Sequence, residues 1–140
     1  MKKCLTIIVI LLLGCGSVFA NNFIDTKEVS LKKDEQIKII VKYDSIEKLL
    51  KFRWTLYING GLVFLKSYDK IVSQNILYLR HKNRSLRVEL KPRGANYYNV
   101  PYLLIKFKKF DYELNRAFFE LYLSDDNMQI QLKYLNNEEE

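Results

Sequence analysis

The sequence predicts an all-β chain, an antiparallel two-sheet sandwich of immunoglobulin-like or jelly-roll type, with a small β-barrel as the alternative closure. Three observations carry this. Apolar and polar side chains alternate in four separate segments, the period of a strand with one dry and one wet face. Turn residues separate the segments at hairpin spacing, giving about nine short strands. Only one short stretch has a helical signature, and no heptad or internal repeat occurs.

Taken in order, a first strand centres on Val29 and Leu31, and Lys32-Lys33-Asp34-Glu35 turns it into a second. There Ile37, Ile39, Val41 and Tyr43 share one face opposite Lys38, Ile40 and Lys42. Asp44-Ser45-Ile46-Glu47 then carries an N-cap residue with Glu three positions on, a capping-box pattern that predicts about two helical turns near 45–50. The next strand places Phe52, Trp54, Leu56 and Ile58 on one face and Lys51, Arg53, Thr55 and Tyr57 on the other. Asn59-Gly60-Gly61 follows; Asn-Gly supplies the positive φ angles of a tight hairpin turn. Segments 62–65, 76–79 and 102–107 are apolar on both faces, as central strands are.

His81-Lys82-Asn83-Arg84 turns the chain into a strand with Leu86, Val88 and Leu90 facing inward. Residues 91–101 form the longest irregular connection, bounded by Pro92 and Pro101. The stretch from Asp111 to Arg116 joins the 102–110 strand to the 117–123 strand. Ser124-Asp125-Asp126-Asn127 leads to a last strand with Met128, Ile130, Leu132 and Tyr134 on one face.

The first twenty residues read as a secretory signal peptide. Lys2 and Lys3 precede an uncharged run, and small residues end it at Ala20, the order of an export signal. The uncharged stretch at positions 4 to 20 is seventeen residues long, shorter and less apolar than the roughly 20 residues of a membrane span. Two processings fit. Val18-Phe19-Ala20 suits cleavage before Asn21, and Leu12-Leu13-Gly14-Cys15 resembles the lipobox of bacterial lipoproteins. In the second, acylated Cys15 would be a membrane's only hold on the chain. Residues 21–137 are then expected to form a single β domain, and 138–140 an acidic tail. Both cysteines, Cys4 and Cys15, lie in the leader, so the domain has no disulfide and no thiolate-held metal.

Formal net charge is +7; Lys2 and Lys3 supply two of these, leaving +5, and setting aside the three terminal glutamates leaves the body at +8. Outside the cytoplasm such a surface meets an envelope protein, a polymer or lipid headgroups sooner than nucleic acid. Positive charge also simply aids solubility.

Catalytic chemistry finds little support. The single histidine, His81, sits among Arg80, Lys82, Asn83 and Arg84, and nearby positive charge opposes its protonation as a base. No second His or Cys is present to ligate zinc. Asp125-Asp126-Asn127 has oxygen ligands for a hard cation, yet Asp and Asn are also what hairpin turns select. The expectation is no cofactor, no metal and no catalytic residue.

Two candidate binding sites remain. The 91–101 loop groups Arg93, Asn96, Tyr97, Tyr98 and Asn99; loops on β scaffolds carry recognition, and tyrosine gives contact area at low entropic cost. The basic tip Arg80, His81, Lys82 and Arg84, with Arg87 nearby, offers charge-assisted bonds to phosphate or carboxylate. Each has a plainer explanation, an aromatic lid over the sandwich edge or charges that discourage edge pairing. The expected function is a non-catalytic binding or structural module exported to the periplasm or outer surface of a bacterial membrane. A carrier of a small apolar or lipid ligand is the alternative, and an enzyme the third.

Overall fold

Nine strands form among the described residues. In the computed structural model, residues 23–94 and 100–135 are described; the leader with Cys15, loop residues Asn96, Tyr97, Tyr98 and Asn99, and the acidic tail lie outside them. The strands are β1 (Asp25–Lys32), β2 (Ile37–Tyr43), β3 (Ile46–Ile58), β4 (Gly61–Tyr68), β5 (Ile71–Tyr78), β6 (Ser85–Glu89), β7 (Tyr102–Asp111), β8 (Arg116–Ser124) and β9 (Gln131–Leu135). A 3-10 turn, Lys82–Arg84, precedes β6.

The strands make two separate antiparallel sheets, in the orders β1-β8-β7-β6 and β5-β4-β3-β2-β9. The chain changes sheet between β1 and β2, between β5 and β6, and between β8 and β9. This is a two-sheet sandwich, and the sheets do not close into a barrel.

The expected helix near 45–50 is absent. Asp44 and Ser45 have φ of 46° and 64°, and Tyr43 pairs with Ile46, so they are the two central residues of a hairpin turn. An N-cap needs extended backbone, which left-handed φ angles exclude. Glu47 reaches across the hairpin to Lys42 at 2.5 Å instead of capping a helix. Burying Leu50, Phe52 and Trp54 through an extended β3 outweighs one turn of local helix, which is marginal without packing.

The interior is dry. Trp54, Phe52, Phe64, Phe107 and Phe119 are almost wholly buried, and no polar or charged residue is buried among those described. Rings from the two sheets meet there, Phe52 and Phe119 at 6.0 Å and Phe64 and Phe119 at 5.6 Å between centroids. Two hydrogen bonds stitch the sheets. Trp54 Nε1 donates to the Leu31 carbonyl at 2.8 Å, and the Tyr68 hydroxyl donates to the Leu90 carbonyl at 2.7 Å. Both satisfy a polar tip that burial would otherwise penalise.

A β-bulge divides β3, where the register shifts between Trp54 and Leu56. Beyond it the faces exchange. Leu56 and Ile58, expected inward, are exposed, and Tyr57, expected outward, packs against the core. A matching shift in β7 between Phe107 and Lys109 turns Phe110 toward the core. Segment 76–79 also departs from expectation: β5 is an edge strand of its sheet, not a central one.

The outer face of the four-stranded sheet carries an ion-pair network. Lys108 bridges Glu28 at 2.5 Å and Glu120 at 3.3 Å, and Lys106 meets Glu120 at 3.2 Å. The Tyr122 hydroxyl donates to Glu120 at 2.8 Å. That bond holds the Glu120 carboxyl down most strongly; burial, next in size, opposes it, and Lys106 and Lys108 add to the lowering, leaving it at about 2. A carboxyl depressed in the folded state stabilises it above the unfolded pKa and loses that contribution as it protonates. The melting temperature should therefore fall as pH drops from about 4.5 toward about 2. Glu120→Gln should flatten that part of a dichroism-monitored pH series, and an unchanged slope would refute the assignment.

Candidate ligand-binding site

One end of the sandwich gathers the β3–β4 turn, the β5–β6 crossover and the β7–β8 turn around a cavity of about 490 Å³. Its wall is aromatic because of the two bulges. They bring Tyr57 and Phe110 face to face, with centroids 4.1 Å apart and planes within 22°. Phe110 meets Trp54 edge-on at 5.5 Å on the core side and Tyr112 edge-on at 5.1 Å on the open side. A continuous column of rings thus runs from the interior to the rim.

Tyr112 is set in place by its turn. Asp111 Oδ1 accepts the backbone N–H groups of Glu113 and Leu114, each at 3.0 Å, an Asx-type arrangement that tightens the loop. On the opposite wall, Tyr78 passes close over Gly61, where an added Cβ would lie 2.8 Å from its Cε1. Gly61 therefore makes room for this ring. His81 caps Tyr78 edge-on at 5.5 Å. Asn59 and Gly60, with φ of 51° and 77°, form the predicted hairpin turn and add an amide to the rim.

Polar chemistry enters through Arg80, His81 and the tyrosine hydroxyls. Burial, then the adjacent Tyr112, pushes the Tyr57 hydroxyl up to about 12, with nearby Arg80 acting the other way. Tyr57 thus keeps its proton throughout the physiological range and can donate a hydrogen bond. Arg80 forms no ion pair among the described residues, and it lines the cavity. The site can stack a flat or ring-shaped ligand and bind a carboxylate or phosphate.

The basic tip of the sequence divides. Arg80 and His81 line this cavity, and Lys82 borders an adjoining recess with Tyr78, His81 and Asn83. Arg84 turns inward, its guanidinium donating to the carbonyls of Phe107 at 2.8 Å and Lys108 at 2.9 Å. It pins the crossover to the β7 bulge. The Arg87 guanidinium sits over the Tyr102 ring, 3.8 Å from its centroid, and 3.9 Å from Glu89. These two cations are occupied structurally.

The described loop residues 91–94 lie at the opposite end, where Lys91 pairs with Asp44 of the β2–β3 turn at 2.5 Å. Arg93 forks onto Glu89. Asn96, Tyr97, Tyr98 and Asn99 fall outside the described residues. Asp125 is a turn residue, accepting the Asn127 N–H at 3.1 Å, and no metal-binding cluster occurs among the described residues.

Reading along the sequence passes over Tyr57, Tyr78, Phe110 and Tyr112. The available signal was aromatic residues flanking two turns, Tyr57 before Asn59-Gly60 and Tyr112 after Asp111. Strand propensity accounts for Tyr57 by itself.

Fold and site together define a β-sandwich with an aromatic, cationic cleft at one end. No family model matches this sequence, and no curated protein or solved structure matches it either. The chemistry of the cleft therefore rests on its own residues.

Proposed function

We propose that the chain is an exported, non-catalytic binding module of the cell envelope whose end cleft holds acidic saccharide units of an envelope polymer. The observation that carries this is Arg80 and His81 set beside the Tyr57, Tyr78, Phe110 and Tyr112 rings in one cavity of about 490 Å³. Ligand sites commonly occupy about 300–1,000 Å³ and combine aromatic walls with a few directed polar groups. Rings stack on sugar faces, and a guanidinium pairs with a carboxylate or phosphate by charge-assisted bonds. The net charge of +5 that remains without Lys2 and Lys3 of the leader favours approach of a polyanion. A leader of the secretory type delivers the domain to that compartment.

The apolar-carrier reading asks for a cavity between the sheets, yet Phe52, Phe64 and Phe119 meet there ring to ring. An enzyme asks for converging acids and bases, and the cleft contributes one histidine and no carboxylate.

Calorimetric titration with isolated acidic envelope polysaccharide tests the proposal. Arg80→Ala should weaken binding by about tenfold or more, the loss of a hydrogen bond to a charged group. Tyr112→Ala should weaken it as well, and Gly61→Ala should do so indirectly by displacing Tyr78. Arg93→Ala, at the far end, should leave it unchanged. Equal affinity for all four variants, or no binding by the parent chain, would reject the assignment.

A further inference from the structure

Four strands end the two sheets, and three of them are charged. β1 carries Asp25, Lys27, Glu28 and Lys32, β6 carries Arg87 and Glu89, and β9 carries Lys133. Charges on an edge strand discourage pairing with another chain. β5, Ile71–Tyr78, reads IVSQNILY. It holds no charge, no proline and no glycine over eight residues, and Ile71 and Val72 are 71% and 72% exposed. A long, neutral, apolar edge presents an open row of backbone groups.

The surroundings of β5 extend this surface. On the outer face Ile76 pairs with Val63, and Val63 with Leu56, giving an apolar row across three strands that ends in exposed Leu56 at 47%. The outer face of the other sheet has its ion-pair network in the corresponding place. The flanks differ too. Lys27 of β1 lies 3.6 Å over the Tyr134 ring of β9, bridging the sheets on that side. Between β5 and β6 there is instead a recess of about 540 Å³, lined by Asn75, Leu77 and Leu86 among others.

We propose that β5 pairs antiparallel with β5 of a second copy, about a two-fold axis through Gln74, joining two five-stranded sheets into one of ten strands. The register argues for a second copy. Residues opposite one another across such an axis must share a face. Leu77 faces inward beside Leu62, so odd positions of β5 lie on the inner side of the sheet, with Ile71 exposed at the strand's end, and even positions on the outer side. Centring on Gln74 sets Val72 opposite Ile76 outside, Ile71 opposite Leu77 inside, and Ser73 opposite Asn75. From Ile71 to Leu77 every apolar residue meets an apolar one and every polar residue a polar one, which is how cross-strand pairs stabilise a sheet. Centring on Asn75 would set Gln74 against Ile76 and Ser73 against Leu77. Centring on Ser73 would set Ile71 against Asn75 and Val72 against Gln74. Only one register is self-complementary, as an isologous interface requires. Neutrality completes the argument: two copies of a chain with net charge +7 meet at the edge that brings no like charges together.

Sedimentation velocity over a roughly hundredfold range of chain concentration tests this by mass action. The parent chain should shift toward dimer mass, and Val72→Lys and Ile76→Glu should each remain monomeric with unchanged dichroism. Mixing those two variants should restore a dimer, because positions 72 and 76 face each other. A cysteine at the axis is an independent readout. Gln74→Cys should form an intermolecular disulfide under mild oxidation, since opposed residues lie about 4.5–5.5 Å apart between Cα atoms, inside the disulfide range. Gln131→Cys on β9 should not. A parent chain that stays monomeric throughout, a dimer untouched by Val72→Lys, or equal cross-linking at 74 and 131 would overturn the inference.

Discussion

Trp54→Ala is expected to cost about 3–5 kcal/mol, the range for emptying a fully buried aromatic site. Trp54 is 2% exposed. Its indole N–H holds the Leu31 carbonyl of the facing sheet at 2.8 Å, and its ring abuts Phe110 edge-on. Removing it leaves a void where collapse is resisted from both sheets, and it strips the Leu31 carbonyl of this side-chain partner. Domains of this size hold only about 5–15 kcal/mol in reserve, so the variant should unfold at a much lower urea concentration than the parent. Urea denaturation followed by far-ultraviolet dichroism measures this, because the variant lacks the chain's single tryptophan as a fluorescent probe. Trp54→Phe fills most of the void but cannot donate the hydrogen bond, and it should recover more than half of the loss. Equal midpoints for Trp54→Ala and the parent would show that Trp54 does not hold the sheets together.

Phe110→Ala should show the second largest effect, and in two readouts at once. Phe110 is only partly buried against the core, so its truncation should cost about 2–3 kcal/mol, below the range for a fully buried phenylalanine. It also stacks on Tyr57 at 4.1 Å and supports Tyr112 at 5.1 Å. Without it the cleft loses its middle wall. Polysaccharide binding should then be lost under conditions where dichroism still reports a folded chain. Phe118→Ala is the control, since that side chain lies on the outer face of β8 beneath Lys109 at 4.5 Å. A Phe110→Ala variant that binds with parental affinity would show that the ring column plays no part in the site.

Much of this architecture is written locally. Period-two alternation placed Ile37, Ile39, Val41 and Tyr43 on one face, and all four pack into the interior. Asn59-Gly60 marks a turn whose positive φ angles follow from the residues themselves. Asp44-Ser45 carried two local meanings at once, a helix cap and a hairpin turn, since Asp and Ser serve both. Packing chose the turn because only an extended β3 buries Phe52 and Trp54 together.

Alternation, hairpin turns and a thiol-free domain sequence follow from residues near one another along the chain, and the sequence determined them unaided. Tertiary structure alone decided where the alternation slips, which strands lie at the edges, and which turns share an end. A bulge is defined by a partner strand that advances one residue while its neighbour advances two, so the inward turn of Tyr57 and Phe110 leaves no mark in either segment. Edge position depends on which strands pair, and β5 resembles a central strand until its neighbours are known. The cleft exists because three turns distant in sequence meet at one end, and such nearness is a property of strand order rather than of any local pattern.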